Sequence, residues 1–312
     1  MPTSEPPRAG VPLGRPPDHR DRLTRVRLSL LGFSVGDAFG EQFFRPREEA
    51  LRRIEGRILP DPEWYWTDDT EMAISIVEVL RDFGRIDQDH LARGFALRYD
   101  QTRGYGGLAH HILSQIRQGQ PWREVSKAVF RGQGSFGNGG AMRVAPVGAY
   151  FADDVERAGE EALLSAEVTH AHAEGQAGAI AVAVAAAMVW QGHDRAAPAP
   201  RSFLEAVAEH VPAGATRAGI RFAAGLEADI TPADAAGHLG SGDNVSAQDT
   251  VPFCLWSVAT CGGSYEEAMW RTVSGLGDRD TTCAMVGGIV ALRVEERGVP
   301  EAWLRAREGM PT

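Results

Sequence analysis

Thr67-Asp68-Asp69-Thr70 and Asp278-Arg279-Asp280-Thr281-Thr282 stand about two hundred residues apart, and each opens a segment with the apolar spacing of a helix. Ser, Thr and Asp are favoured helix caps, and acids there complement the macrodipole, so capping is one reading of either cluster alone. One capping oxygen suffices per helix, however, whereas each cluster offers two carboxylates and a hydroxyl beside an apolar run. Like charges at that density repel unless a cation neutralises them. The candidate ligands Thr67, Asp68, Asp69, Asp278, Asp280 and Thr281 are all hard oxygens, which suits Mg²⁺, Mn²⁺ or Ca²⁺ rather than Zn²⁺ or copper. The expectation is a pair of Mg²⁺ or Mn²⁺ ions that hold substrate hydroxyls and generate a hydroxide nucleophile near neutral pH.

A glycine run, Gly132 to Gly140, is the second candidate site. Gly132-Gln133-Gly134-Ser135-Phe136-Gly137 matches GxGxxG, and Asp153 follows near the distance of a ribose-binding acid, but a dinucleotide fold needs a strand before the loop. Trp122 to Arg131 reads instead as an amphipathic helix. A plain flexible loop and a backbone cradle for phosphate both remain open, the second aided by donors on Ser135 and Asn138. Phe130 and Phe136 could hold an adenine or ribose face, or belong to the core. His170, in Ala-rich sequence read as helix, is either a hydrogen-bonded core histidine or a ligand contact. His172 lies two positions on, a spacing that faces away on a helix and argues against a zinc pair, and His110 and His111 have no identifiable partner.

The elements that must position these groups read as helices. Met72, Ile76, Leu80 and Phe83 form one apolar stripe after the first cluster, and Cys283 to Leu292 forms a small-residue core segment after the second. Further helical patterns span about 22–39, 88–99, 106–118, 122–130, 155–172, 203–210, 215–226, 249–261 and 264–275, and strand-like alternation is nearly absent. The expected fold is one all-α domain over residues 21–312, after a disordered leader over residues 1–20 that lacks an apolar signal region. Gly and Pro punctuation places loops at 41–66, 131–141, 191–201 and 227–248. Ala177 to Trp190 falls short of the ~20 residues of a membrane span and reads as a buried core helix.

The chain has 312 residues, 43% hydrophobic, and a formal charge of −10 with scattered Lys and Arg. That balance disfavours nucleic acid or anionic membrane as the main partner. Cys254, Cys261 and Cys283 form no CxxC pair and are expected to be reduced, buried residues of a cytoplasmic protein, taken as a monomer.

Five blocks in order carry a resemblance: Gly36-Asp37-Ala38-Phe39-Gly40, Trp66-Thr67-Asp68-Asp69-Thr70, Gly134 to Arg143, Thr169-His170, and Gly277 to Thr282. Together they resemble the ADP-ribosylglycohydrolase family, which includes the dinitrogenase reductase-activating glycohydrolase and the ADP-ribosyl-acceptor hydrolases. The resemblance implies an all-helical fold with a binuclear Mg²⁺ or Mn²⁺ centre that cleaves ADP-ribose from its acceptor at the anomeric carbon. Thr67, Asp68, Asp69, Asp278, Asp280 and Thr281 would form the metal shell, and Asp68, Asp69 or Asp278 would take the proton of the attacking water. Gly134, Ser135, Phe136, Gly137 and Asn138 would bind the diphosphate and distal ribose, with Phe130 and Phe136 near the adenosine. Met142 and His170 would complete the ligand contacts, and Tyr105 and Gly106 would line the cleft as in the serine-directed branch. Many relatives carry Glu four positions after the last Gly of the first block, where this chain has Phe44, so Glu41 is the acid left to gate the metals. Leu276 also departs from a usual Gly. The resemblance leaves three functional classes: a hydrolase acting on serine or arginine of modified proteins, a hydrolase of small ADP-ribosyl metabolites, and a non-catalytic ADP-ribose reader.

Overall fold

Gly32, Gly36 and Gly40 recur every fourth residue along α1 (His19–Glu41), and this bare stripe is where α15 (Arg279–Gly298) packs. A Cβ at Gly36 would fall 2.2 Å from the carbonyl oxygen of Cys283, and one at Gly40 would fall 2.2 Å from that of Arg279. Those are backbone contacts that no side chain could relieve, so α1 and α15 approach as only glycine allows and form the most extensive helix pair of the fold. The computed structural model describes residues 16–311. Among them no strand forms, and sixteen α-helices make a single all-α domain, as expected from the helical periodicity.

Around the central pair stand α3 (Asp68–Phe83), α7 (Ala145–Tyr150), α9 (Ala173–Gln191) and α13 (Ala247–Thr260). The Ala-rich α9 is mostly buried against α7, α8 (Val155–Glu167), α13 and α15; it is a core helix although its length and hydropathy would also suit a membrane span. Phe39 stacks on Trp303 with ring centroids 4.6 Å apart, and Phe43, Trp64 and Trp270 close the cluster. This cluster pins the chain just before Thr67. Trp64 N–H donates to Ala306 O, Glu308 N–H donates back to Trp64 O, and Arg103 lies 3.5 Å over the Trp66 ring while pairing with Glu308.

The structure corrects several boundaries. Helices α2 (Arg47–Glu55) and α12 (Pro232–Leu239) lie inside segments expected to be loops, and α7 and α16 (Glu301–Ala306) are additional short helices. The pattern read as helix over 155–172 ends at Glu167, so Thr169, His170 and His172 lie in the connection to α9, where the His172 ring accepts from Glu174 N–H. Helix α6 (Trp122–Gly132) leaves regular geometry at Val129, and Phe130 and Arg131 adopt positive φ of 50° and 60°. Of the leader expected over residues 1–20, residues 1–15 lie outside the described residues, and α1 already begins at His19. The three cysteines are buried thiols.

Candidate metal centre and ligand cavity

Asp37 is fully buried in the last turns of α1 and accepts four hydrogen bonds from the entrance of α3. The backbone N–H groups of Thr67 and Thr70 donate at 3.0 Å, and the hydroxyls of Thr67 and Thr70 donate at 2.9 and 2.5 Å. Thr67 is also the N-cap of α3, its hydroxyl accepting from Asp69 N–H. Across the α1 and α15 contact, Asp278 stands at the N-cap position of α15 and receives the Asn138 side-chain amide at 2.7 Å, while Thr281 Oγ1 donates to Asp69 Oδ2 at 3.1 Å.

One carboxylate oxygen each from Asp37, Asp69 and Asp280 lie within 4.8 Å of one another. Capping therefore accounts for Thr67 but not for Asp69 and Asp280, and Asp278 holds the N-cap position of α15 without a side-chain capping bond. Oδ1 of Asp69 and Oδ1 of Asp280 are buried without a hydrogen-bond partner. A buried carboxylate oxygen without a donor costs several kcal/mol unless the group is protonated or meets a cation. The all-oxygen donor set and these two orphan atoms fit a hard divalent cation.

Burial is the largest cause of the raised pKa of every acid here, and neighbouring carboxylates add to it at most positions. Asp68 is pushed up to about 8 and Glu41 to about 7, Asp69 and Asp280 lie well above the ordinary range, and Asp278 is raised. Asp37 rises to about 6, because burial outweighs its four donors from Thr67 and Thr70.

A cavity of about 540 Å³ opens onto this cluster. Asp68, Asp278, Asp280 and Thr281 line its acidic end, and Ser135, Phe136, Gly137, Asn138, Met142 and His170 line one wall. Gly106 and the start of α5 (Gly107–Arg117) line the other, and Phe130, half exposed, sits at the opening with its ring 5.2 Å from Phe136. Thr67 and Asp69 lie behind the first layer, and Glu41, at the end of α1, stands close enough to Asp37, Asp278 and Asp280 to share their repulsion.

Three expected roles differ from the observed placement. Tyr105 is buried, its hydroxyl donating to Glu71 Oε2 at 2.6 Å, because a phenol removed from water needs an acceptor and this carboxylate supplies it. Gly134 faces Ala171 and the His172 backbone, so its positive φ serves the turn rather than a ligand. The N–H groups of Gly134, Gly137 and Asn138 are spent on Val129 O, Ser135 Oγ and Val245 O, which limits the amides the loop can offer a phosphate. The GxGxxG match has no strand before it, and Asp153 pairs with Arg25 far from the loop in sequence.

Sequence reasoning did not assign roles to Asp37, Arg143, Asn244 or Val245. The last three line the cavity, and Asp278 N–H is held by Ser241 O in the same 240–246 loop. The signals available were an Asp inside an apolar helix, an Arg inside an apolar run, and the Gly-Ser-Gly-Asp-Asn turn at 240–244.

The family model for ADP-ribosylglycohydrolase matches residues 18–310. The chain is 29% identical to ADP-ribosylhydrolase ARH3 of Homo sapiens, over 92% of this chain and 90% of that protein. It is also 29% identical to an uncharacterised protein of Archaeoglobus fulgidus, over 90% of each. A solved structure of an ADP-ribosylglycohydrolase-related protein complex superposes with a TM-score of 0.63 at 23% identity, covering 93% of this chain and 94% of that one.

Proposed function

Since the chain belongs to the ADP-ribosylglycohydrolase family, we propose that it is a metal-dependent hydrolase of the bond between the anomeric carbon of ADP-ribose and an acceptor side chain. The observation that carries the metal dependence is the pair of unpartnered buried oxygens on Asp69 and Asp280, beside a cavity of about 540 Å³. That volume is in the range of small-ligand sites.

Thr67, Asp68, Asp69, Asp278, Asp280 and Thr281 would hold two Mg²⁺ or Mn²⁺ ions, and Asp37 would brace the cluster through the Thr67 and Thr70 donors. Such ions, when bound, act as Lewis acids that hold sugar hydroxyls and lower the pKa of water. Asp68 and Asp278 reach the cavity and are placed to accept the proton of the attacking water, whereas Asp69 is shut behind them. The Asn138 amide on Asp278 Oδ2 holds that carboxylate in place.

Phe130 and Phe136 supply an aromatic face for the adenine, and His170, on the same wall as Phe136, contacts a ligand oxygen. The diphosphate lies along Ser135 and Phe136. Glu41 is the acid nearest to gating the metals from the α1 side, and Phe44, in the place where relatives carry a Glu, packs 4.9 Å from the Arg279 guanidinium. Gly104 and Gly106 form the wall on the acceptor side, and serine-linked ADP-ribose is the substrate we place first, ahead of arginine-linked.

Release of ADP-ribose from serine-linked and arginine-linked peptides, with Mg²⁺ or Mn²⁺ and with chelator, tests the reading. Metal-dependent release from one peptide, lost in Asp280→Asn, is the expected result. Full activity in the variant would remove Asp280 from the site, and binding of ADP-ribose without release from either peptide would turn the reading toward small metabolites or a reader.

A further inference from the structure

Arg143 is fully buried and forms no salt bridge to a carboxylate among the described residues. Its guanidinium lies 4.5 Å over the Phe95 ring, and its Nη2 donates to Ser165 O at 2.8 Å and to Thr169 Oγ1 at 2.9 Å. A buried cation with no carboxylate in direct contact is costly, so its retention points to a task. Thr169 Oγ1 in turn lies 2.7 Å from His170 Nδ1. An arginine can only donate, so the Thr169 oxygen is the acceptor there, and Nδ1 is the one acceptor within reach of the hydroxyl proton among the described residues, so that proton points at Nδ1. Nδ1 is then the acceptor, and the ring proton must sit on Nε2.

The glycine run completes the arrangement. A Cβ at Gly139 would lie 2.9 Å from His170 Cε1, one at Gly137 would lie 3.2 Å from Nε2, and one at Gly140 would lie 3.2 Å from the His170 Cβ. These bare positions are the space that the imidazole occupies at the cavity wall.

We propose that Arg143, acting through Thr169, is a positioning residue that fixes His170 as a neutral imidazole with its Nε2–H aimed as a permanent donor at a ligand oxygen. The ligand oxygen, a ribose hydroxyl or a phosphate, rests on the reading of this cavity as an ADP-ribose site; the tautomer does not. Burial first, and then the nearby Arg143 charge, hold the His170 pKa down to about 3, which agrees with a ring that stays neutral.

The test uses full-length, Mg²⁺-loaded protein with ¹⁵N-labelled histidine, His170 being assigned by the resonances lost in His170→Gln. Wild type is expected to show a protonated Nε2 and a bare Nδ1. Thr169→Val removes the hydroxyl at nearly constant volume; the tautomer should become mixed and calorimetric ADP-ribose affinity should fall about tenfold, the scale of one hydrogen bond. Thr169→Ser should restore both. A proton on Nδ1 in wild type, an unchanged tautomer in Thr169→Val, or failure of Thr169→Ser to restore it would overturn the relay, and the wild-type spectrum decides even if Thr169→Val does not fold. A lost tautomer with unchanged affinity would overturn the donor role. Absence of ADP-ribose binding to wild type would instead sink the ligand reading, leaving the relay to be judged by the spectra alone.

Discussion

Asp280→Asn should make the chelator-treated protein more stable and the Mg²⁺-treated protein less stable than wild type. The oxygens of Asp37, Asp69 and Asp280 lie within 4.8 Å of one another, and two unit charges at that separation repel by about 3.5 kcal/mol at an effective permittivity of about 20. Without a cation the folded chain escapes part of this by retaining protons, as the raised pKa values of Asp69 and Asp280 show. The relief left for the substitution is therefore on the order of 1–3 kcal/mol. For a chain of this length that corresponds to a rise in Tm of about 2–6 °C in chelator. A cation at a hundred times its Kd should stabilise wild type by about 2.7 kcal/mol and the variant by less, so the order of the two melting temperatures inverts. Differential scanning calorimetry in chelator and across a Mg²⁺ and Mn²⁺ titration reads both signs. A wild-type Tm indifferent to both cations, or a variant less stable than wild type in chelator, would refute the assignment of this cluster as a cation site.

The same charge change at Asp37 should have the opposite outcome: Asp37→Asn sets an amide against the Thr67 and Thr70 N–H donors and should cost about 2–4 kcal/mol with or without metal, read as a lower urea midpoint. The cluster's pKa values are raised, so the metal-free folded state binds more protons than the unfolded chain between the ordinary 3.8 and about 8; the cluster's share of stability is intact below that window and is lost as pH rises through about 6 for Asp37 and about 8 for Asp68. Urea midpoints in chelator should thus fall more steeply from pH 5 to 8.5 in wild type than in Asp280→Asn, and equal slopes would contradict the charge coupling. Phe130→Ala removes a half-exposed ring and should raise KM for an ADP-ribosyl substrate about tenfold, the scale of one stacked base, with kcat and Tm nearly unchanged; steady-state kinetics and a melting curve check it.

Helix α3 was legible through its apolar stripe, and α15 through an unbroken run of small and apolar residues that suits a helix buried on every side. Helices α7 and α16, with 6 residues each, and α12, with 8, complete barely two turns and show no period to read. Helix α8 was overrun for a different reason. Val168 to His172 holds no Gly or Pro to mark a helix end, and what stops the helix is specific bonding, namely His172 capping α9 and His170 turning under the glycine loop, which periodicity does not encode. Tyr105 was misplaced for a related reason: a motif position says where a backbone passes, whereas the ring goes where its hydroxyl finds an acceptor, here Glu71.

The acidic clusters stood out in the sequence through an excess, since two carboxylates at each helix entrance exceed what capping requires. Asp37 carries no such excess. It is one acid in an apolar helix, and the donors that make its burial tolerable belong to residues thirty positions on, joined to it only by the fold. Its clue lay in spacing rather than charge, because Gly32, Gly36 and Gly40 leave one face of α1 without side chains at the turns that flank Asp37. Backbone contact at Gly36 and Gly40 sets α1 against the first turn of α15, and that separation fixes how far Asp280 stands from the Asp37 brace. The glycines are therefore as much a part of the candidate metal centre as its acids, for an added methyl at Gly40 would meet the Arg279 carbonyl one residue from Asp280 and push the two helices apart there.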